Sequence, residues 1–162
     1  MRINMKKFTA VVALSICGFA SSPALAGTET GSMTVSATVE AACLMTTAPL
    51  AFGSYTGLAI SGTANFSISC TNSTPYTLAL NAGSSTGATV STRKMTSTGG
   101  TLAYALYRDS ARTLNWGTDV GTTYSGTGSG SAQSVSIYGS VASGQQPTPG
   151  SYSDVVTATL TY

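Results

Sequence analysis

The sequence predicts an all-β protein, with an antiparallel β-sandwich as the leading arrangement. Apolar side chains alternate with polar ones at a period of two in several short runs, as they do in strands that bury one face. Clusters rich in Gly, Ser and Thr separate these runs, and such clusters are typical of the turns between strands. No amphipathic window of helical period has a convincing length. A closed barrel is the other all-β arrangement that fits the pattern.

Strands are expected wherever the alternation is sustained, and the apolar positions of each run should face one common core. These positions are Ala64, Phe66, Ile68 and Cys70; Tyr76, Leu78 and Leu80; Leu102, Tyr104 and Leu106; Val135, Ile137 and Val141; and Val156, Ala158, Leu160 and Tyr162. Leu50, Phe52 and Tyr55 predict a further short strand, interrupted by Gly53. Turns or loops are expected between the runs, at residues 72–75, 82–87, 96–100, 117–130 and 143–150.

The first 26 residues have the features of a secretory signal peptide. Three cationic side chains precede a short apolar run at residues 8–20, and Ala24-Leu25-Ala26 forms a small-residue cleavage site before Gly27. The apolar run is too short to cross a bilayer as a stable helix. Cys17 follows Ile16 rather than a small residue, so we expect it to be removed with the signal rather than to carry a lipid.

Cleavage after Ala26 leaves 136 of the 162 residues, a suitable length for one domain. The full sequence has a formal net charge of +2, but three of its seven cationic side chains lie in the signal, so four face five anionic ones and the mature charge is −1. This balance gives no long-range attraction to nucleic acid or to an anionic membrane. No later stretch is apolar enough to span a bilayer, and we expect an exported chain without a membrane span.

Two cysteines remain after cleavage, Cys43 and Cys70. An even pair in an oxidising exported compartment predicts one disulfide. The alternative, a redox-active or metal-binding pair, has little support because the sequence contains no histidine and no C-x-x-C spacing.

The residue types needed for catalysis are scarce. The chain has no histidine, which removes the Ser-His and Cys-His arrangements. The carboxylates Glu40, Asp109, Asp119 and Asp154 stand singly along the chain, so they are interpreted as solvated surface groups rather than as a catalytic pair or a metal-binding loop. The sequence therefore predicts no catalytic residue, no metal site, no cofactor and no enzymatic activity.

Two further sets of residues allow a binding interpretation beside a structural one. Trp116, Tyr124 and Tyr138 are compatible with a sugar-binding surface, although packing in the core or at its rim is the favoured interpretation. Arg93 and Lys94 lie between two expected loops and are interpreted as an exposed corner.

An amphipathic segment follows the signal. Residues 27–32 are polar, and then Met33, Val35, Ala37 and Val39 alternate with Thr and Ser. Two interpretations stay open: the segment begins the domain's own sheet, or it adds a strand to a neighbouring subunit. The pattern alone favours the first, because many sandwiches begin with such a strand. At the other end, the sequence stops at Tyr162 within the last alternation, and we expect a sheet edge there with no further strand to cover it.

The order of several short motifs resembles the spore coat protein U domain, the domain of Csu-type archaic chaperone–usher pilins. Each motif is weak alone, but together they extend over essentially the whole mature chain, and their order is fairly specific. The motifs are Cys43, Leu50-Ala51-Phe52-Gly53-Ser54-Tyr55, Cys70-Thr71-Asn72, Leu102 to Asp109, Asn115-Trp116-Gly117, Val135 to Gly139, and the closing run from Gly144 to Asp154 with the last strand.

The resemblance implies an incomplete immunoglobulin-like β-sandwich that lacks its final strand and is completed by a donated one. In that family a periplasmic chaperone lends the strand first, and an outer-membrane usher then replaces it with the N-terminal strand of the next subunit. Met33, Val35, Ala37 and Val39 would be the donor-strand anchors. The implied organisation is a signal peptide at 1–26, a donor strand at 27–41 and a pilin domain at 42–162.

The function implied is that of a structural subunit of an extracellular pilus supporting adhesion and biofilm formation, and a single domain is expected of a shaft subunit rather than a two-domain tip. Its partners would be copies of itself or related pilins, the chaperone and the usher. The alternative is a monomeric spore-coat or cell-surface protein with a self-complete β-sandwich.

Overall fold

The computed structural model describes residues 26–162, and the predicted signal peptide, except for Ala26, lies outside the described residues. Within the described part the chain forms eight strands and no helix, which confirms the all-β prediction. The strands are β1 (Cys43–Thr47), β2 (Ile60–Cys70), β3 (Pro75–Leu80), β4 (Arg93–Ser97), β5 (Gly100–Tyr107), β6 (Tyr124–Thr127), β7 (Ala132–Val141) and β8 (Ala158–Thr161). They all belong to one compact unit, residues 38–162, while residues 26–37 belong to a separate unit.

Two antiparallel sheets make up the sandwich. The five-stranded sheet has the order β1-β2-β7-β5-β4, and the three-stranded sheet has the order β6-β3-β8. The longest pairing joins β2 to β7 and places Ala64 opposite Ile137, so the apolar positions of both strands lie on the same face of the sheet. The predicted sandwich is therefore present, and its core lies between the facing apolar sides of the two sheets.

The period-two pattern locates the core accurately in four strands. Every apolar position named above for β2, β3, β5 and β7 is buried, including Ile68, Leu78 and Val141 with no exposed surface. Each buried Val, Leu, Ile or Phe side chain among them contributes roughly 1.5–3 kcal/mol by its burial, and Ala64 contributes less. The fifth run behaves differently, because the strand begins at Ala158 rather than at Val156, and its apolar side chains are at most half-buried.

The predicted strand around Leu50, Phe52 and Tyr55 is wrong. Residues 48–59 form no strand, since Gly53 and Gly57 adopt positive φ angles of 78° and 90°, which end an extended run. Leu50 and Phe52 nevertheless pack against the core. They lie over two glycines paired across β2 and β7, Gly62 and Gly139, where a Cβ on Gly139 would come within 2.7 Å of the Phe52 ring.

Three strands were not predicted. The expected loop at 117–130 contains β6 at Tyr124–Thr127, which has a single large apolar side chain and so shows no alternation. The other two are β1 and β4. The interpretation of Arg93 as an exposed corner is wrong, because it is the first residue of β4, faces inward and has no exposed surface.

No helix that could cross a bilayer occurs among residues 26–162.

Candidate functional site: an apolar groove and an amphipathic N-terminal segment

An apolar groove opens between the two sheets at one side of the sandwich. It lies between β1, which pairs with β2 alone, and β8, which pairs with β3 alone among the described residues. Its volume is about 470 Å³. The lining side chains come from β1, β8, the core strands and the two irregular segments at 48–52 and 152–156: Met45, Thr47, Ala48, Pro49, Leu50, Phe52, Phe66, Leu80, Met95, Tyr104, Leu106, Ile137, Tyr152, Ser153, Asp154, Val155, Val156 and Ala158.

The groove exposes apolar surface that the sandwich does not cover. Phe66, Leu80 and Leu106 belong to its floor and are buried, whereas Met45 and Val156 at its walls are only half-buried. Phe52 packs edge to face on Tyr104, with ring centroids 5.8 Å apart. A second cavity of about 710 Å³ shares Leu50, Phe52, Met95 and Tyr152 with the groove and continues it toward residues 147–151. An open apolar trough beside two free strand edges is a surface that another strand can cover.

Asp154 fixes one wall of this groove. Its carboxylate accepts hydrogen bonds from the Tyr104 hydroxyl at 2.7 Å, from the Ser84 N–H and hydroxyl at 2.9 Å each, and from the Val155 N–H at 2.8 Å. These bonds hold the wall at 152–156 to β5 and to the loop after β3. A Cβ on Gly83 would collide with the carboxylate, and Gly83 has a φ of 88°, so glycine is required there.

Asp154 departs from its expected role. Nothing in its local sequence separates it from the other carboxylates, which were interpreted as solvated, yet it is half-buried and accepts four hydrogen bonds. Burial raises the pKa of its carboxyl group, but the bonds from Tyr104, Ser84 and Val155 outweigh this, and the pKa lies below the ordinary value of 3.8. No motif identifies this role, because the Tyr104 and Ser84 donors lie 50 and 70 residues away.

The lowered pKa of Asp154 has a consequence for acid stability. A carboxyl group with a depressed folded-state pKa stabilises the fold above its unfolded pKa, and this contribution is lost as pH falls through the folded value. We expect the free energy of unfolding of the wild type to fall below about pH 5 more steeply than that of Asp154→Asn, in denaturant titrations between pH 7 and 3. The two proteins share all other carboxyl groups. If their free energies of unfolding changed with pH in the same way, Asp154 would not contribute to acid stability as described.

The floor of the groove is supported from behind by Arg93. Its guanidinium donates hydrogen bonds to the backbone carbonyls of Asn81 at 2.9 Å, Val90 at 2.6 Å, Leu80 at 3.2 Å and Trp116 at 2.7 Å. Burial lowers the pKa of Arg93, while the nearby Tyr104 and Asp154 oppose this change. The side chain therefore acts as a buried connector that satisfies carbonyls from three different segments.

Trp116, whose carbonyl accepts one of the Arg93 hydrogen bonds, is buried beside it. It has no exposed surface, donates its indole N–H to the Leu78 carbonyl at 2.9 Å and packs against Phe66 and Tyr124, with ring centroids 5.8 and 5.9 Å away. Packing is therefore its role, as the favoured interpretation held. Tyr138 is half-exposed beneath the Arg112 guanidinium, 5.9 Å from its ring centroid, so the three aromatic residues do not form one surface.

The amphipathic N-terminal segment carries no strand assignment between residues 26 and 42. Met33, Val35 and Val39 have 83%, 81% and 86% of their surface exposed, and Ala37 is exposed as well. These four apolar side chains at alternate positions are exposed, which is unfavourable in water. Their assignment as donor-strand anchors stays a prediction.

The segment joins the sandwich at a fixed point. The Ala42 N–H donates to the Thr71 hydroxyl at 3.1 Å, and the Thr71 N–H donates to the Ala42 carbonyl at 2.9 Å. Directly beyond this pair, Cys43 and Cys70 lie opposite each other on β1 and β2 and are joined by a disulfide. We call Ala42, Thr71 and this disulfide the exit clamp. The sequence did not indicate the part that Thr71 plays.

The carboxylates do not gather into a site. Among residues 26–162 no group of three or more His, Cys, Asp or Glu side chains is placed to hold a metal ion. Asp109 instead accepts hydrogen bonds from the N–H groups of Thr113 and Leu114 and closes its own loop.

Comparison with known proteins gives three results. Residues 29–159 match the family described as the Spore Coat Protein U domain. Protein U of Myxococcus xanthus is 33% identical over 174 aligned positions, covering 95% of this chain and 97% of that protein. A chain in the crystal structure of the CsuC–CsuE chaperone–tip adhesion subunit pre-assembly complex, from the archaic chaperone–usher Csu pili of Acinetobacter baumannii, has a similar fold. It aligns with a TM-score of 0.59 at 22% identity, over 77% of this chain and 41% of its own length.

The family match extends over residues 29–159, which is most of the 162-residue chain, and the chain belongs to the Spore Coat Protein U domain family.

Proposed function

We propose that this chain is a structural subunit of a bacterial surface pilus, assembled by a chaperone and an usher through donor-strand complementation. The observation that carries the proposal is that one chain presents both an uncovered apolar groove between two free strand edges and an exposed apolar segment of strand period. The apolar segment of one molecule would therefore cover the apolar groove of its neighbour. The proposed division is a signal peptide at 1–26, a donor strand at 27–41 and a receiving domain at 42–162.

The dimensions and energies suit such a linkage. The anchors Met33 to Val39 span seven residues, roughly 20 Å in an extended strand. Burying Met33, Val35 and Val39 stabilises the contact by roughly 1.5–3 kcal/mol each, and Ala37 adds less. Backbone hydrogen bonds to the free edges of β1 and β8 add about 0.5–1.5 kcal/mol each. Withdrawal of the strand breaks these contacts together, so the contact is expected to be kinetically stable.

The geometry of the linkage leads to a filament. A donor at one end of the chain and a groove in the domain make a head-to-tail contact, which is heterologous and does not close on itself. The partners would be neighbouring pilins, a periplasmic chaperone that covers the groove before assembly, and the usher. The similar solved structure is a complex of a chaperone with a pilus subunit, which supports this class of partners. An extracellular location and a role in adhesion and biofilm formation follow from the proposal.

The same features argue for a structural rather than an enzymatic role. The 162 residues include no histidine, and the carboxylate of Asp154, which lines the groove, already accepts four hydrogen bonds. The groove is lined mainly by apolar side chains, which suits a strand better than a reaction that develops charge.

The proposal is tested by placing charge on the anchors. Val35→Asp with Val39→Asp is expected to abolish polymer formation, because two carboxylates would enter an apolar groove without partners. The matched control, Thr34→Asp with Thr38→Asp, adds the same charge to the alternate face and should retain polymers. Material sheared from cells that make the protein is run unboiled on an SDS gel, where donor-strand polymers form a ladder that collapses on boiling.

Two results would contradict the proposal. A ladder of normal length from the Val35 and Val39 variant would show that these side chains are not anchors. A single monomer band from unboiled wild-type material would favour the alternative, a monomeric coat or surface protein whose sandwich is complete by itself.

A further inference from the structure

We propose that the methionines of this chain are oxidation sites that control its assembly. A peroxide converts them to sulfoxides while the subunit is unassembled, and the subunit then neither donates its strand nor receives one. This role of methionine rests on the proposed function and adds a modification site to it. The sequence contains five methionines, and two of them, Met1 and Met5, lie in the predicted signal peptide.

The three methionines after the signal all belong to the proposed contact. Met33 is the first of the four anchors, and Met45 and Met95 line the groove. Among residues 26–162, the buried apolar side chains of the core include no methionine. A chemical change at methionine therefore acts on the two surfaces that would meet in the contact rather than on the buried core.

The two groove methionines lie at opposite margins of the five-stranded sheet. Met45 is on the edge strand β1, opposite Ile68 of β2, and Met95 is on the other edge strand, β4, opposite Leu102 of β5. Both side chains are half-buried, and Met95 also borders the second cavity. Because the groove is open to solvent, a molecule as small as hydrogen peroxide can enter it between them.

Met33 is the most accessible of the three, with 83% of its surface exposed. A chaperone that covers the groove before assembly would also cover Met45 and Met95, but the donor segment would still be free at that stage. Met33 is therefore the first target of a peroxide in a chaperone-bound subunit. Once the segment lies in the groove of a neighbour, the same side chain is buried and protected.

The reaction is a two-electron oxidation of the thioether sulfur. The sulfur attacks one oxygen of the peroxide, an S–O bond forms as the O–O bond breaks, and the second oxygen leaves as water. The sulfur is oxidised and the peroxide is reduced. The product replaces a flexible apolar side chain by a polar one. Methionine sulfoxide reductases reverse this change, so the modification need not be permanent.

A sulfoxide would enter the groove without a suitable partner. Its oxygen accepts hydrogen bonds, whereas the groove is lined mainly by apolar side chains. The hydroxyl of Tyr104, which belongs to the lining, already donates to the Asp154 carboxylate at 2.7 Å. Burying a polar group without a hydrogen bond weakens binding by about tenfold or more, and we expect this loss for an oxidised anchor or groove methionine.

Synthetic peptides of residues 27–41 test the donor side. The receiver is the full chain with Val35→Asp and Val39→Asp, which keeps its groove but lacks a working donor. Three fluorescent peptides are compared: the native sequence, the same sequence with Met33 oxidised to the sulfoxide, and Met33→Leu, which has a similar volume and no thioether. The sulfoxide peptide should bind about tenfold or more weakly, and the leucine peptide should bind like the native one. Equal affinities of the native and sulfoxide peptides would overturn the inference.

Treating the receiver with hydrogen peroxide tests the groove. Its affinity for the native peptide should fall by about tenfold or more after treatment. The matched control is the same receiver with Met45→Leu and Met95→Leu, which should keep its affinity. If peroxide weakened both receivers equally, the damage would lie outside these methionines, and the inference would be wrong for the groove.

Mass spectrometry tests whether assembly protects Met33. Polymers sheared from wild-type cells and the monomeric receiver are treated with hydrogen peroxide and digested, and the oxidised fraction of Met33 is measured. Met33 should be oxidised in the monomer and stay reduced in the polymers. Equal oxidation in both would overturn the inference, although Val35 and Val39 could still hold a donor strand. Failure of the native peptide to bind the untreated receiver would instead overturn the proposed function itself.

Discussion

Replacing Arg93 by alanine is expected to lower the free energy of unfolding by at least about 3 kcal/mol, since each buried acceptor left without a donor costs about 1–3 kcal/mol. Four carbonyls, those of Leu80, Asn81, Val90 and Trp116, receive their bonds from this one guanidinium. Leu80 also lines the groove, so the variant should disturb the receiving surface as well as the core. Urea titration of the chaperone-free domain, followed by tryptophan fluorescence, measures the change.

Two further variants serve as controls for Arg93→Ala. Arg93→Lys keeps the charge but replaces a planar fork of donors by a single ammonium, and an intermediate loss is expected. Lys94→Ala changes the neighbouring, half-exposed residue on the opposite face of β4, and its effect should stay within about 0.5 kcal/mol. If Arg93→Ala were as stable as Lys94→Ala, the guanidinium would not be a connector of these segments.

Replacing Trp116 by alanine is expected to lower the free energy of unfolding by about 3–5 kcal/mol, the usual loss when a large aromatic side chain is removed from a core. The side chain has no exposed surface and touches both Phe66 and Tyr124. Trp116→Phe retains much of the packing but loses the indole bond to the Leu78 carbonyl, and a smaller loss should follow. Because both variants remove the only tryptophan, far-ultraviolet circular dichroism replaces fluorescence as the readout.

The outcome for Trp116 also tests whether this side chain holds the two sheets together. Trp116 lies outside the strands but packs between them, so its removal should weaken the contact between the sheets rather than any one pairing. A loss below about 1 kcal/mol, well under that expected for such a core residue, would mean that the surrounding side chains collapse into the space.

Local pattern was sufficient for the core strands because side-chain alternation is a property of each strand alone. β2 shows this clearly, with Ala64, Phe66, Ile68 and Cys70 all buried as expected. Leu50 and Phe52 have the same spacing and are partly buried, but the positive φ angles of Gly53 and Gly57 prevent a strand. Alternation shows which side chains share a face. A short irregular segment that lies on the core can show the same alternation without being a strand.

The groove and its supports could not be predicted in the same way because they depend on distant parts of the chain. β1 and β8 stand at opposite ends of the domain sequence, and nothing in either run shows that the two edges border one trough. Arg93 is of a residue type usually found at the surface, and its burial depends on carbonyls from three segments that meet only in the folded chain. The family resemblance supplied the expectation of an incomplete sandwich, which residue patterns alone had left open.

The cross-link between Cys43 and Cys70 has a mechanical consequence. In a fibre of the proposed kind, tension would enter each domain where the N-terminal segment meets β1, at the end of an edge strand that could otherwise be peeled away one hydrogen bond at a time. A covalent bond at the first pair of that strand passes the load directly to β2, the strand with the longest pairing in the sheet. Tension on the fibre would then have to pull neighbouring domains apart before it unfolded any one of them.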